Sequence, residues 1–338
     1  MTDGRFPPLP EDHTISSPSG EADHAPAAEE SSSPAAGPSA AEPPGAPISP
    51  VAGHPREVAQ RSFAGLQLPD DLQISWSWVH LLFFLLSAAA SFVVLPLVLA
   101  IAVQSYSGRP QMHVQQLASN AVFLVIAQVF CFGAVMFFLY MTLAVLRDAP
   151  FWTTLGWKKL EVQTRKRNYK AWMFPLLGCG LAIFVALGSS RVKDAENAPI
   201  EQLFKDPHAA FLLMAMAVLI APLVEETVFR GYLYPLFAGN FAKLAAHCGA
   251  DSSRAVRFGT VSGVLLTGFL FGMLHGYQLG WNLTLVSLLT LVGVIFTFAR
   301  AATGTVLASF LMHLGYNSLI AVITILATKG FTVAPPGH

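Results

Sequence analysis

The chain is 338 residues long, 54% hydrophobic and only 12% charged, with a formal net charge of zero. A soluble domain usually carries about 25% charged residues, so the composition excludes an ordinary water-soluble globule. The balanced charge also offers no footprint for a nucleic-acid partner. A mean hydropathy of +0.53 is that of a polytopic membrane protein.

In chain order, residues 1–71 come first, rich in Pro, Ala, Ser, Glu and Gly and nearly free of large apolar side chains. Such a segment cannot bury enough surface to offset its ordering entropy, and it is predicted to be a disordered tail. It lacks the basic region and apolar stretch of a signal peptide. Trp76 and Trp78 then suit the membrane interface. From there, apolar runs of about 20 residues predict about seven transmembrane helices, over 76–104, 117–146, 171–190, 208–237, 258–276, 280–299 and 304–328. The expected fold is an all-α membrane bundle with a disordered N-terminal tail.

The loop between the second and third spans holds Arg147, Lys158, Lys159, Arg165, Lys166, Arg167 and Lys170. The positive-inside rule makes it cytoplasmic. Alternation then puts the tail and the loops 238–257 and 300–303 on the same side. Only Arg109, Arg191, Lys193, Lys205 and Lys329 fall opposite, with Arg230 inside a helix. The expectation is an integral protein of the cytoplasmic (inner) membrane with a cytoplasmic N-terminus. Cys131, Cys179 and Cys248 are scattered without CxxC spacing, which reads as packing rather than a disulfide or metal framework.

The last four spans contain few polar exceptions: Glu225, Glu226, Arg230, His275, His313 and Asn317. A charge near the bilayer centre costs at least about 2.5–3.5 kcal/mol on insertion scales, so each asks for a reason. Glu226 and Arg230 are four apart and stack on one helix face, where they can pair. Glu225 points about 100° away and is left without a fixed cation, as suits a general base. His313 and Asn317 are also four apart and share a face. A plain salt bridge with two histidines as helix–helix glue is the bland alternative. At about 1.5 Å per residue, Glu225, His275 and His313 lie roughly 18, 25 and 14 Å from the cytoplasmic ends of their predicted helices. With a turn or more of leeway at each helix end, the three are expected to meet at one level.

At these residues the chain resembles the CPBP family of intramembrane proteases, which includes type II CAAX prenyl endopeptidases and proteins of bacteriocin processing and immunity. The family's EExxxR, FxxxH and HxxxN motifs read here as EETVFR (225–230), FGMLH (271–275) and HLGYN (313–317), in the family's order. The resemblance covers about 115–328, most securely 205–325, and implies a protease domain over 72–330. It implies that Glu225 with His275 activates water, that His313 and Asn317 stabilise the oxyanion, and that Glu226 with Arg230 holds the site together. It leaves two mechanisms open, a metal-free glutamate type and a zinc type with Glu225, His275 and His313 as ligands. No cofactor is certain on this reading. The implied partners are the lipid bilayer and a membrane-associated protein or peptide substrate. Two alternatives come from other classes: a proton-coupled transporter using the Glu, His and Arg residues, and a non-proteolytic scaffold or immunity protein.

Overall fold

The computed structural model of the chain describes residues 66–107, 117, 120–160, 170–190 and 207–331. The expected tail up to residue 65, the cluster Arg165, Lys166 and Arg167, and Arg109, Arg191, Lys193 and Lys205 lie outside the described residues.

The described residues form a helical bundle without strands. Helix α1 is Trp78–Ser107. Helix α2 is Ala121–Tyr140, prolonged by a π-turn, Met141–Val145. Helix α3 is Met173–Ser189, α5 is Ser252–Leu274, α6 is Leu283–Thr303 and α7 is Val306–Ala327. Between α3 and α5, helix α4 runs from Pro207 to His247 through two π-turns, Met216–Ile220 and Thr227–Leu233. Six of the seven are long and apolar enough to cross a bilayer. The exception is α3, whose 17 residues rise about 26 Å at ~1.5 Å each, against a hydrocarbon core of ~30 Å.

Side-chain caps fix where several helices begin. Asn120, Asp251, Asn282 and Thr305 each accept a hydrogen bond from a backbone N–H of the first turn of α2, α5, α6 and α7. Gly304, at φ +74°, makes the sharp reversal between α6 and α7.

Helix α4 departs most from expectation. It continues ten residues beyond the expected end at 237, to His247. The extra stretch, AGNFAKLAAH, is too polar to read as a span, yet it is amphipathic. Ala238, Gly239 and Ala242 are buried, and Lys243, Leu244 and His247 are exposed. Each π-turn of α4 ends two residues before a proline, Pro222 or Pro235. A proline in a helix removes an N–H and crowds the preceding turn. Widening that turn accommodates the ring, and such π-bulges often mark functional sites.

Close approach between helices comes from small residues, as expected where lipid supplies no hydrophobic drive between helices. Gly259 and Gly263 of α5 lie against the Ala238 and Ala242 backbone of α4, and Gly268 and Gly272 lie against Val294 and Thr290 of α6. A Cβ on Gly178 of α3 would stand 1.9 Å from the Met312 carbonyl oxygen of α7. That contact only a glycine permits.

Two connecting segments tie the ends of the bundle. The first, residues 66–77, runs along the α4–α5 hairpin. Its Gln67 N–H donates to Ser252 Oγ (3.3 Å) at the tip of that hairpin. Further on, Leu72 packs on Tyr234, Ala238 and Val264, and Asp71 pairs with the buried Arg300 at 3.0 Å. At its end, Trp76 stacks on Tyr232 at 5.3 Å and donates from Nε1 to the Tyr232 carbonyl (3.1 Å). The second segment follows α2. Its Arg147 guanidinium donates to the Ser75 carbonyl, and Trp157 Nε1 donates to Thr227 Oγ1 of α4 at 3.1 Å. The start of α1, the end of α2 and Tyr232 of α4 therefore share one level.

Candidate active site

The site grows from the second π-turn of α4 and its junction with the preceding turn. Arg230 is fully buried and makes three hydrogen bonds. Nη1 binds Glu226 Oε1 at 2.9 Å, Nη2 donates to the Gly293 carbonyl at 3.0 Å, and Nε donates to Thr297 Oγ1 at 3.2 Å. Its guanidinium lies 4.5 Å from the Phe271 ring centroid and 5.4 Å from that of Phe296. A planar, multi-donor cation beside aromatic rings is well suited to this role. Arg230 thus locks α4 to α6, and its full burial keeps it from the surface.

The pairing read from the i, i+4 spacing is present, and it is larger than a pair. Glu226 Oε1 also meets His313 Nδ1, at 2.9 Å across the α4–α7 interface. A carboxylate in an ion pair only accepts, so His313 carries its proton on Nδ1 and turns Nε2 toward Glu225 Oε2, 3.9 Å away. His275 is held in the same way from another direction. It caps the end of α5, and its Nδ1 lies 2.8 Å from the Phe271 carbonyl, which can only accept. Its Nε2 then faces Glu225 Oε1 at 4.0 Å. These tautomers are assigned from the acceptors. Both imidazoles therefore direct Nε2 at the same carboxylate.

Glu225, with 18% of its side chain exposed, lies between the two rings; His275 is 21% exposed and His313 5%. The separations of 3.9 and 4.0 Å are too long for direct hydrogen bonds. A water oxygen about 2.8 Å from each partner spans about 4.0 Å when the two bonds meet at a right angle. Tetrahedral zinc, with bonds of about 2.0–2.1 Å, would bring oxygen and nitrogen to about 3.3 Å. Nδ1 anchored outward and Nε2 inward is the orientation a metal-binding histidine needs, while the separations of 4.0 and 3.9 Å are wider than the span across a zinc ion. Among the described residues, no group of three or more His, Cys, Asp or Glu side chains has metal-holding geometry.

Asn317 is not drawn into this cluster by any bond. Its Nδ2 donates to the Ala217 carbonyl of α4 at 2.7 Å. Five residues after Ala217 stands Pro222, without an N–H to return across the π-turn. Asn317 supplies the donor that the proline removed.

Sequence reasoning did not single out Thr297 and Gly293, the α6 partners of Arg230. Neither belongs to a motif, and a threonine in an apolar helix reads as neutral. It did quote Phe271 as the start of FxxxH, and the structure gives that residue content. Its carbonyl orients His275, and its ring packs on Arg230, His275 (4.7 Å), His313 (5.9 Å) and Phe229 (5.2 Å).

Residues 207–319 match the model of a family described as type II CAAX prenyl endopeptidase Rce1-like. The match spans α4, α5 and α6 and most of α7, so it contains every residue of the site, and it agrees with the resemblance to the CPBP family. No curated protein and no solved structure gave a significant match.

Proposed function

We propose that the chain is an intramembrane endopeptidase of the CAAX type, which cuts a peptide bond of a membrane-associated protein or peptide by metal-free, glutamate-assisted attack of water. One observation carries the reading. A partly exposed carboxylate, Glu225, lies at water-bridging distance from two imidazoles whose Nδ1 atoms are held by acceptors.

In this reading a water sits between Glu225 and His275 and donates a hydrogen bond to each, and Glu225 takes one proton as the water's lone pair attacks the substrate carbonyl. His313 donates from Nε2 when its ring carries a proton on each nitrogen. In that form it donates to the oxyanion, and the proton that Glu225 takes from the water passes to the departing amine. Asn317 has one amide hydrogen left after its bond to Ala217. One turn beyond His313, it is the second oxyanion donor. The gathering of these groups at one place, instead of in a chain across the bilayer, supports hydrolysis over a proton relay. The basic loop supports a cytoplasmic-side location in the inner membrane.

The test is purified protein in detergent with a prenylated C-terminal peptide. Glu225→Gln is expected to lower turnover by about 10²–10⁴-fold, the usual worth of a general base. Turnover equal to wild type would overturn the assignment. Turnover abolished by a chelator and restored by zinc would overturn the metal-free form.

A further inference from the structure

The α4–α5 hairpin extends well past the level at which α1 begins. Tyr232 marks that level through its contacts with Trp76. Beyond it, α4 continues for the fifteen residues 233–247, or about 22 Å at ~1.5 Å per residue. Helix α5 returns beside it from Ser252, held by Gly259 and Gly263. The strap 66–76 covers one side of this projection, where it exposes Asp70, Gln73 and Ser75 to polar surroundings.

The uncovered side is different. On α5, residues 254, 257, 258, 261 and 265 fall on one face by their three- and four-residue spacing. Leu265, Val261 and Phe258 are 54%, 59% and 52% exposed, so the apolar stripe of the span continues up the projecting hairpin. It ends at Arg257 and Arg254, both exposed, and α4 adds exposed Leu244 and Lys243. Asp251 offsets one cation through its 3.1 Å pair with Arg254. Its carboxyl is held below the usual carboxylate range, chiefly by the Arg254 backbone N–H. Lys243 and Arg257 carry the remaining charge. An apolar flank grading into cations fits the acyl–headgroup boundary and then the phosphates of an anionic leaflet.

We propose that this face of the α4–α5 hairpin leans on the membrane surface and binds anionic phospholipid headgroups through Lys243, Arg254 and Arg257, with Phe258 and Val261 in the acyl boundary. The surface lies away from Glu225 and does not depend on the catalytic reading.

Cys248, exposed at the hairpin tip, provides the probe site; Cys131 is buried and Cys179 half-buried. The full-length protein, labelled at Cys248 with a fluorophore, is placed in phosphatidylcholine bilayers containing a minor fraction of phosphatidylglycerol. A headgroup quencher is carried by one lipid or the other. Phosphatidylglycerol is expected to quench more strongly. The preference should fall two- to fivefold in Arg257→Gln and in Lys243→Gln, the worth of about one juxtamembrane charge, and should weaken with salt. Phe258→Ser with Val261→Ser should reduce quenching by both lipids and spare the preference. Equal quenching by the two lipids in wild type would overturn the proposal, as would a preference unchanged in the two charge variants. Peptidase activity of the same variants in detergent is expected to equal wild type, which separates this outcome from the fate of the catalytic assignment.

Discussion

Replacing Glu226 with Gln removes one charge and deprives Arg230 of the carboxylate hydrogen-bonded to it. Arg230 is 0% exposed, and its other hydrogen-bond partners are the neutral Gly293 carbonyl and Thr297 hydroxyl. Breaking one partner of a buried ion pair costs about 3–5 kcal/mol, because a charge is stranded. In a domain of this size each kcal/mol moves Tm by about 2–4 °C, so the expected loss is roughly 6–20 °C. The neighbouring change, Glu225→Gln, breaks no direct hydrogen bond, since Glu225 lies 3.9 and 4.0 Å from its histidines and is partly exposed. Its Tm is expected within about 1 kcal/mol equivalent of wild type, the range of a site without a strong direct partner, while its turnover collapses. The assay is thermal unfolding of the detergent-solubilised protein followed by thiol reactivity of buried Cys131, with peptide hydrolysis measured in parallel. Equal destabilisation by the two substitutions would refute the division of the dyad into a structural and a chemical carboxylate.

Three further outcomes are expected. Asn317→Ala strands the Ala217 carbonyl and should cost about 1–3 kcal/mol. Pro222→Ala restores an N–H, so the double variant should recover stability; recovery of hydrolysis as well would make Asn317 a brace and not an oxyanion donor. Gly276→Ala places a Cβ 2.4 Å from the Trp281 ring beside His275, so turnover should fall in the single variant and recover in a Trp281→Ala background, read as non-additivity in a double-mutant cycle. Gly178→Ala drives a methyl into the Met312 carbonyl at 1.9 Å and should cost at least about 1–3 kcal/mol by overpacking, seen as a lower midpoint in the same unfolding assay.

Much of the bundle was legible because the bilayer imposes a simple rule on α1, α2, α6 and α7, where long apolar runs become helices. The rule gave out at α4, because residues 238–247 leave the apolar region and stay helical by packing small side chains on α5. At α3 the apolar run 171–190 did become a helix, Met173–Ser189, only a little shorter than the run. Within the site, the Glu226–Arg230 pair followed from spacing on a single helix. The Glu226–His313 bond did not, since it joins α4 to α7 and depends on how those helices are rotated against each other. The proline-linked π-turns also escaped notice, although Pro222 and Pro235 were visible, because a proline announces a missing donor without saying which neighbour replaces it.

The strap has a practical meaning for anyone altering the front of the chain. Its anchors run from Gln67 at the hairpin tip to Trp76 beside Tyr232, with Asp71 on Arg300 between them. A deletion ending at residue 65 keeps every one of those anchors. A deletion carried ten residues further strips Arg300 of its carboxylate, although Arg300 lies on a helix far along the sequence. The natural boundary for truncation or fusion is therefore set by the hairpin it lies along, well ahead of the first apolar residue of α1.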